Sequence, residues 1–348
     1  MKPGIYDKGD NLIKSYEDLA KEGFNIEQDF YHEHEIDSVP SSVHNLFKKY
    51  KPAKLVLPDN AEIIGQEALD RCDSIEEIVI GKNIKEIGAL CFFFKCSNLR
   101  KIVFNDKLER LDFAAFKRCE NLESVNFPSS LLSIADEVFT SCDKLKTIPI
   151  PPLVDFVTEN TFRYCSNLEK IEVDSKNIKY CSEDGVLFSK NKKELLTYPA
   201  GKTDKIYKVP DEVKEICAVA FASNKYLSEV QLPDKLKYIG REAFLKSNLR
   251  KIYLPDSLEE LEYHSFTNCY HLKKVRLPDN VKVDYHNFIN TYELKEINIS
   301  KTFVKNHPEF VEKFKDKIKI VKSLDELLDE GKSFKEINKE FKDNNIER

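Results

Sequence analysis

Apolar residues recur along the chain as Leu-x-x-Ile-x-Leu at nearly constant spacing. The first apolar position of this pattern falls at Ile75, Leu99, Leu122, Leu145, Leu168, Leu227, Leu249, Leu272 and Leu294. The steps between these positions are 24, 23, 23, 23, 59, 22, 23 and 22 residues. A register held over so long a stretch predicts a solenoid, in which each repeat forms one coil and buries its apolar side against its neighbours.

Each repeat divides into a strand, a turn and a closing segment. In one repeat, residues 249–254 are predicted to form a short strand, which Pro255 ends because proline cannot donate a ladder hydrogen bond. Leu258 and Leu261 are then predicted to face the core again. The closing segment is predicted to be a helical turn that carries a phenylalanine into the core. These phenylalanines are Phe93, Phe116, Phe139, Phe162, Phe221, Phe244, Phe266 and Phe288.

Cysteine is a further repeating marker, just after the phenylalanine of each repeat. Six cysteines share this position: Cys72, Cys96, Cys119, Cys142, Cys165 and Cys269. A small, weakly polar residue suits a buried turn, so we expect a structural role for them. A reactive thiol among Cys91, Cys181 and Cys217 is the open alternative. The chain has no Cys-x-x-Cys pair, which argues against a zinc site.

The single step of 59 residues exceeds one period of 23 by about 36 residues, which indicates an insertion. Within it, Val186–Phe188 and Leu195–Tyr198 are predicted strands, and residues 189–193 form the polar hairpin loop between them. Asp184-Gly185 is a turn signal in front of the first strand. The sequence therefore predicts a broken repeat with a hairpin insert over residues 174–208.

The repeats at residues 232–244 and 254–258 resemble those of the BspA-like leucine-rich-repeat family. The insert, with Asp184–Phe188 followed by Tyr198–Gly201, is similar to the broken repeat of that family. The resemblance covers roughly residues 55–300. It implies a curved solenoid, a role in protein–protein attachment, often at a microbial surface, and no catalytic residues. The predicted fold is an α/β repeat solenoid, a leucine-rich-repeat horseshoe with short strands, helical turns and terminal caps.

The two ends of the chain leave the repeat pattern and are predicted to cap it, since a solenoid would otherwise expose its terminal apolar faces. The predicted organisation is an N-terminal cap over residues 1–54, the solenoid over 55–300, and a C-terminal helical cap or tail over 301–348. In the first cap, Ser15 is a predicted N-cap of a short helix.

The C-terminal part is predicted to contain a helix from Pro308 and a final strand within residues 317–321. Ser323 and Ser333 each begin a capping-box pattern, which predicts two short amphipathic helices. These helices either cover the last coil or dock onto a partner, and the sequence leaves both interpretations open.

Composition narrows the class of function. A net charge of -5 and a pI near 5.9 argue against nucleic-acid binding by the whole chain. No run of about 18 apolar residues predicts a membrane span. The first residues lack the apolar stretch of a secretory signal, which predicts a cytoplasmic protein, whereas the family resemblance implies the cell surface.

Candidate catalytic and metal-binding groups are few. His32 and His34 would share one face of a strand, but the sequence shows no third metal ligand, and a solvated surface is the favoured interpretation. His264 and His286 recur at one position of adjacent repeats and are predicted to be surface neighbours. The chain has no glycine-rich phosphate loop and no Gly-x-Ser-x-Gly elbow. We therefore expect no enzyme activity and no cofactor.

The residues that flank the central Ile of each strand are predicted to point outward onto one continuous face. They vary from repeat to repeat while the apolar anchors recur, as in a scaffold that carries a binding surface. The predicted partner-binding residues are Arg250, Lys251, Tyr253, Lys273, Lys274 and Arg276. Tyr and Arg are common interface anchors, and the basic charge would favour an acidic protein partner. Two alternatives stay open, namely polyanion or nucleic-acid binding by this basic stretch and an effector activity in the C-terminal helices.

Overall fold

The computed structural model describes residues 1–24, 41–69, 72–92 and 96–322. The His32–His34 pair, Phe93 and the helices predicted from Ser323 onward lie outside these ranges. The described chain divides into two compact units. Unit 1 comprises Met1–Thr203 and Val219–Lys225, and unit 2 comprises Asp204–Ala218 and the chain from Tyr226 onward.

Unit 1 begins with a β-hairpin and two helices. The hairpin strands are β1 (Gly4–Tyr6) and β2 (Leu12–Ser15), and the helices are α1 (Tyr16–Lys21) and α2 (Ser41–Tyr50). The predicted N-cap is confirmed, because Ser15 Oγ accepts a hydrogen bond from the Asp18 backbone N at 3.2 Å. β1 pairs antiparallel with the first solenoid strand, so the hairpin covers the end of the solenoid's sheet.

The coils of unit 1 contribute short strands to two parallel ladders. The main ladder consists of two sheets, one with β3 (Lys54–Val56), β5 (Glu77–Val79) and β7 (Lys101–Val103), and one with β10 (Thr147–Ile150) and β12 (Lys170–Val173). The second ladder contains β4 (Ile63–Ile64), β6 (Glu86–Ile87), β8 (Arg110–Leu111), β9 (Ser133–Ile134) and β11 (Phe156–Val157). The middle residue of β5 pairs in register with that of β7, so the strands follow the repeat spacing.

The insert of unit 1 forms three antiparallel strands, β13 (Tyr180–Glu183), β14 (Val186–Ser189) and β15 (Glu194–Thr197). The two predicted strands are confirmed. β13 was not predicted, because its sequence Tyr-Cys-Ser-Glu has no alternation of apolar and polar residues. After the insert, Gly201 N donates to Leu168 O at 2.8 Å, and a Cβ at Gly201 would lie 2.5 Å from the Asn167 carbonyl carbon. Only glycine allows the chain to approach so closely here.

Unit 2 has the same two ladders. Its main ladder contains β16 (Ile206–Lys208), β18 (Glu229–Gln231), β20 (Lys251–Tyr253), β22 (Lys274–Arg276), β23 (Glu296–Ile299) and β24 (Ile318–Ile320). Its second ladder contains β17 (Glu215–Ile216), β19 (Tyr238–Ile239) and β21 (Glu260–Leu261). Both ladders are parallel, so the predicted solenoid is confirmed in this unit as in unit 1.

Two helices follow the last repeat of unit 2, α3 (Lys301–Asn306) and α4 (Pro308–Phe314). α4 and β24 confirm the helix predicted from Pro308 and the strand predicted within residues 317–321. Phe303 and Phe310 are the buried side chains of the two helices, and their rings lie 5.7 Å apart. The helices therefore cover apolar surface at this end of the unit.

The phenylalanines of successive coils stack in the core. Within unit 1, the ring centroids of Phe92 and Phe116 lie 4.9 Å apart, and those of Phe116 and Phe139 lie 5.6 Å apart. In unit 2, Phe244 stacks on Phe266 at 5.0 Å. Phe92 follows Ile75 by 17 residues, as Phe116 follows Leu99 by 17, so the two rings occupy the same position of adjacent coils. The predicted Phe93 lies outside the described residues.

The segments that carry these phenylalanines are mostly tight turns. Around Phe116, Ala114 and Arg118 have φ angles of 53° and 64°. Residues in this left-handed region interrupt a right-handed helix, so the chain turns sharply on both sides of the buried ring. The predicted helical turn takes 3-10 form at Tyr285–Phe288.

Candidate partner-binding surface

The outward side chains of β18, β20, β22 and β23 form a surface that we call the ladder face. The central residues of these strands, Val230, Ile252, Val275 and Ile297, are buried and fix the orientation of their neighbours. The first outward row consists of Glu229, Lys251, Lys274 and Glu296 in direct register. The second row contains Tyr253, Arg276 and Asn298. The structure thus places Lys251, Tyr253, Lys274 and Arg276 side by side, as the sequence predicted.

The first row has an acidic residue at each end and two basic residues in the middle. Lys251 Nζ lies 2.8 Å from Glu229 Oε2, and Lys274 Nζ lies 2.8 Å from Glu296 Oε1. Burial alone would raise the pKa of Glu296, but the neighbouring Lys274 ammonium outweighs it and holds that pKa below its usual value. Both lysines of the row are therefore already paired with an acid of the adjacent coil.

Arg276 lies deeper than the other predicted residues. Its side chain is only 10% exposed, and its Nη2 lies 2.5 Å from Asp256 Oδ1. Its Nη1 donates to the Leu254 carbonyl oxygen at 2.9 Å. The guanidinium therefore links the turn after β20 to β22. Arg276 is a structural residue of the ladder face and not the exposed cation that the sequence predicted.

Tyr253 lies in the centre of the ladder face. Its side chain is half-buried, and burial raises the pKa of its hydroxyl well above the usual value, with a further contribution from the carboxylates of Glu229 and Glu296. Within the described part of the chain, Tyr253 Oη has no hydrogen-bond partner. That oxygen is itself buried, so the exposed part of the Tyr253 ring, and not its hydroxyl, is the surface that a partner can contact.

Arg250 and Lys273 flank the ladder face on its exposed edge. Lys273 Nζ lies 3.5 Å from Glu293 Oε2. The other carboxylate oxygen of Glu293, Oε1, contacts the His271 ring nitrogen Nδ1. Of the five predicted cations, four therefore have a carboxylate neighbour. Of these four pairs, Lys273–Glu293 is exposed on both sides; such a pair contributes little stability, so a partner can exchange it at low cost.

Sequence reasoning placed Glu229 and Glu296 on this outward face but missed that they pair with its lysines. Each lies 22 residues from the lysine that it pairs with, and 22 residues is one repeat in this region. This spacing was a usable signal, because residues one period apart are neighbours in adjacent coils. The partners of Arg276 could not be found in this way, since Asp256 lies in the turn after the strand.

The repeating cysteines lie in the core. Their exposures are 0–2%, and the thiols of Cys165 and Cys269 donate to backbone carbonyls at 3.0 Å. Burial raises the pKa of both thiols to about 12. A nucleophile or metal ligand must be a thiolate, so these groups are chemically silent at neutral pH.

The other candidate groups that the structure describes form no metal site. The rings of His264 and His286 are neighbours, with centroids 6.3 Å apart. Among residues 1–24, 41–69, 72–92 and 96–322, no three His, Cys, Asp or Glu side chains are arranged to hold a metal ion. Over the same part of the chain, every helix is too short or too polar to cross a bilayer.

The profile of the BspA type leucine rich repeat region matches the chain in six copies, over residues 41–169, 91–208 and 201–310. No curated protein sequence matches the chain. Solved structures do, and one is a leucine-rich repeat protein from Eubacterium ventriosum. It shares 23% identity and a TM-score of 0.68, over 75% of this chain and 71% of that one.

Two other similar structures have higher identity. The pneumococcal vaccine antigen PcpA is 31% identical with a TM-score of 0.66, over 71% of this chain, which spans 62% of that structure. A leucine rich cell surface protein from Faecalibacterium prausnitzii is 26% identical with a TM-score of 0.60, over 84% of this chain and 83% of the other. The three similar proteins are thus described as a leucine-rich repeat protein, a vaccine antigen and a leucine rich cell surface protein.

Proposed function

Since the chain belongs to the BspA type leucine rich repeat family, we propose that it is a non-catalytic scaffold that binds a protein partner through the ladder face of unit 2. The predicted contact residues are Arg250, Lys251, Tyr253, Lys273 and Lys274. Arg276 is proposed as the residue that positions them, because its side chain is held by Asp256 and by the Leu254 carbonyl.

The observation that carries this proposal is that the strands of unit 2 have buried central residues and variable outward residues. Central residues such as Ile252 and Val275 are completely buried, so they fix the fold. The flanking residues are in register across the ladder and differ in charge and size from coil to coil. A rigid ladder that presents a variable row of polar and aromatic side chains is typical of repeat proteins that bind other proteins.

The chemistry of the ladder face favours a protein over a polyanion. Lys251 and Lys274 are neutralised by Glu229 and Glu296 on either side. A nucleic acid would bring its phosphates against these two carboxylates, which carry the same charge. A folded protein can offer a matching arrangement of both signs around Tyr253, and an acidic segment on that protein stays a prediction.

We propose that this interaction takes place at the cell surface. Two similar structures, PcpA and the Faecalibacterium prausnitzii protein, are described as a vaccine antigen and a cell surface protein. The cytoplasmic location expected from the sequence has no support from these relatives. An effector activity of the C-terminal helices concerns residues after 322, which lie beyond the described chain.

The experiment is a quantitative capture with matched charge-reversal variants. The full chain, the ladder-face variant Arg250→Glu/Lys273→Glu and the control variant Lys214→Glu/Lys235→Glu are immobilised and exposed to surface extracts of the native cell. Both variants change the charge equally, and all four residues are exposed in unit 2. Bound proteins are then compared by isotope-labelled mass spectrometry.

We expect at least one protein that binds the wild type and the control variant and is depleted about tenfold by the ladder-face variant, a loss of about 1.4 kcal/mol. Tyr253→Ala should deplete the same protein. If the wild type and both variants retain identical sets of proteins, the ladder face is not the binding surface.

A further inference from the structure

We propose that unit 2 carries a second binding site, for a neutral oligosaccharide, in a groove on the side of the second ladder. This tyrosine groove is lined by Arg241, Glu262, Tyr263, Lys282 and Asp284, over a floor that includes Leu261 and Val283. Its cavity volume is about 530 Å³. A second depression of about 280 Å³ beside α4 shares Val283 and Asp284 with it. The two together form an extended groove with room for more than one sugar ring.

The groove has a fixed aromatic platform. Tyr263 is 51% exposed, yet its ring packs against His286 at 5.2 Å and against His264 at 3.8 Å between centroids. The two histidines support the tyrosine from within the protein and leave part of its ring open to the groove. A ring that is held in place before binding loses little entropy on contact with a ligand.

Exposed tyrosines continue this platform into the adjacent coils. Tyr285 occupies the position of Tyr263 one repeat later and is 39% exposed. Tyr238 is in register with Glu260 beside the groove and is 43% exposed. The apolar C–H face of a pyranose ring packs against such aromatic rings, so Tyr263 in the groove and the neighbouring tyrosines offer stacking surfaces for sugars, except where Lys313 Nζ lies over the Tyr285 ring at 5.1 Å from its centroid.

The polar groups of the groove are held in position by the backbone. Glu262 Oε2 accepts a hydrogen bond from the Arg241 backbone N at 2.8 Å, and Asp284 Oδ1 accepts one from the His286 backbone N at 2.8 Å. A carboxylate has about four acceptor positions, so each can accept further hydrogen bonds from a ligand. The fixed geometry favours ligands whose donors have a defined spacing, such as adjacent sugar hydroxyls.

The charges of the groove nearly cancel, which favours a neutral ligand. Lys282 Nζ lies 2.5 Å from Glu260 Oε1, so these two form an internal pair. The remaining ionic groups are the Arg241 guanidinium and the carboxylates of Glu262 and Asp284, of which Asp284 also contacts the His286 ring nitrogen Nδ1 through Oδ1. Hydroxyl groups both donate and accept hydrogen bonds, so a sugar can satisfy a carboxylate and a guanidinium at the same time.

A proline-rich peptide is the other class of ligand that binds aromatic grooves. Such a peptide offers backbone carbonyls, which accept hydrogen bonds, and few donors because proline has no N–H. The carboxylates of Glu262 and Asp284 require donors. The groove is therefore better matched to a hydroxyl-rich ligand than to polyproline.

The test is isothermal titration calorimetry of the full chain with cellohexaose, mannohexaose, chitohexaose and, for comparison, decaproline. We expect at least one hexasaccharide to bind with a Kd of about 0.1–1 mM. Tyr263→Ala and the conservative variant Glu262→Gln should each weaken that binding about tenfold. Tyr270→Ala is the matched control, because Tyr270 is similarly exposed at 43% but stacks on Tyr292 away from the groove.

Three results would overturn the proposal: no binding of any hexasaccharide, binding that both groove variants leave unchanged, or binding of decaproline alone. Melting curves establish whether each variant is folded. If Tyr263→Ala does not fold, Glu262→Gln still tests the proposal. The variant Arg250→Glu/Lys273→Glu should bind the sugar normally, which separates this site from the ladder face.

Discussion

The Sγ atom of Cys142 donates a hydrogen bond to the backbone carbonyl oxygen of Phe116, 3.2 Å away in the preceding coil. The same bond joins Cys165 to Phe139 at 3.0 Å. The cysteine of one coil thus satisfies the carbonyl of the phenylalanine one coil earlier. This contact explains why the two residue types recur together in the sequence.

Removal of this donor should destabilise the solenoid. Cys142→Ala removes the thiol from the Phe116 carbonyl, which still accepts a hydrogen bond from the Cys119 backbone N at 3.1 Å, and creates a small cavity, so we expect a loss of about 1 kcal/mol in the free energy of unfolding. Cys142→Ser keeps a donor and should lose less. Urea denaturation followed by circular dichroism measures both. The control is Cys181→Ala, at a half-buried position in the insert, which should shift the midpoint of urea denaturation little. If Cys142→Ala shifts the midpoint no more than this control, the thiol–carbonyl hydrogen bond contributes nothing to stability.

The cysteines should differ sharply in reactivity. Cys181 and Cys217 are partly exposed, whereas the other seven are buried, and burial raises the pKa of Cys165 to about 12. We expect N-ethylmaleimide at neutral pH to label the two exposed thiols of the folded protein first. Mass spectrometry of peptides locates the labels. Labelling of Cys142 or Cys165 at the rate of Cys181, without denaturant, would contradict the burial of the repeating cysteines.

Phe244 should be among the most sensitive core positions. It is completely buried and stacks on Phe266 with an interplanar angle of 9°. Phe244→Ala should cost about 3–5 kcal/mol, because the cavity left in a stacked column cannot collapse fully. Thermal and urea unfolding report the loss. Ile178→Ala, at a side chain that is 77% exposed, is the control and should change stability by less than about 0.5 kcal/mol.

Arg276 should behave as a structural residue. The sequence alone predicts an exposed cation, but the guanidinium is buried against Asp256. Arg276→Ala should cost about 2–3 kcal/mol, below the full value for a buried pair because Asp256 is one-third exposed. A double-mutant cycle with Asp256→Ala measures the coupling between the two side chains. Lys274→Ala should leave the stability almost unchanged, and a similar loss in both variants would remove the distinction between them.

The repeat register was predictable because the physics behind it is local and periodic. Leu249 and Leu272 recur because each coil must bury the same positions. Gly201 and Pro255 each mark the end of a strand through their own backbone properties. The same periodicity placed Lys251 beside Lys274. The same spacing places Phe92, which stacks on Phe116, 17 residues after Ile75, as Phe116 lies 17 residues after Leu99.

The sequence by itself determined the coil, its core and the row of outward positions, since these follow from spacing and from the burial of apolar side chains. Only the tertiary structure decided what each outward residue does. Glu229 and Glu296 neutralise the lysines, Asp256 withdraws Arg276 from the surface, and His286 supports Tyr263 at the groove. The repeat spacing can show which side chains lie in adjacent coils, but their rotamers and depths are set by packing, and packing in three dimensions has no period that can be read along the chain.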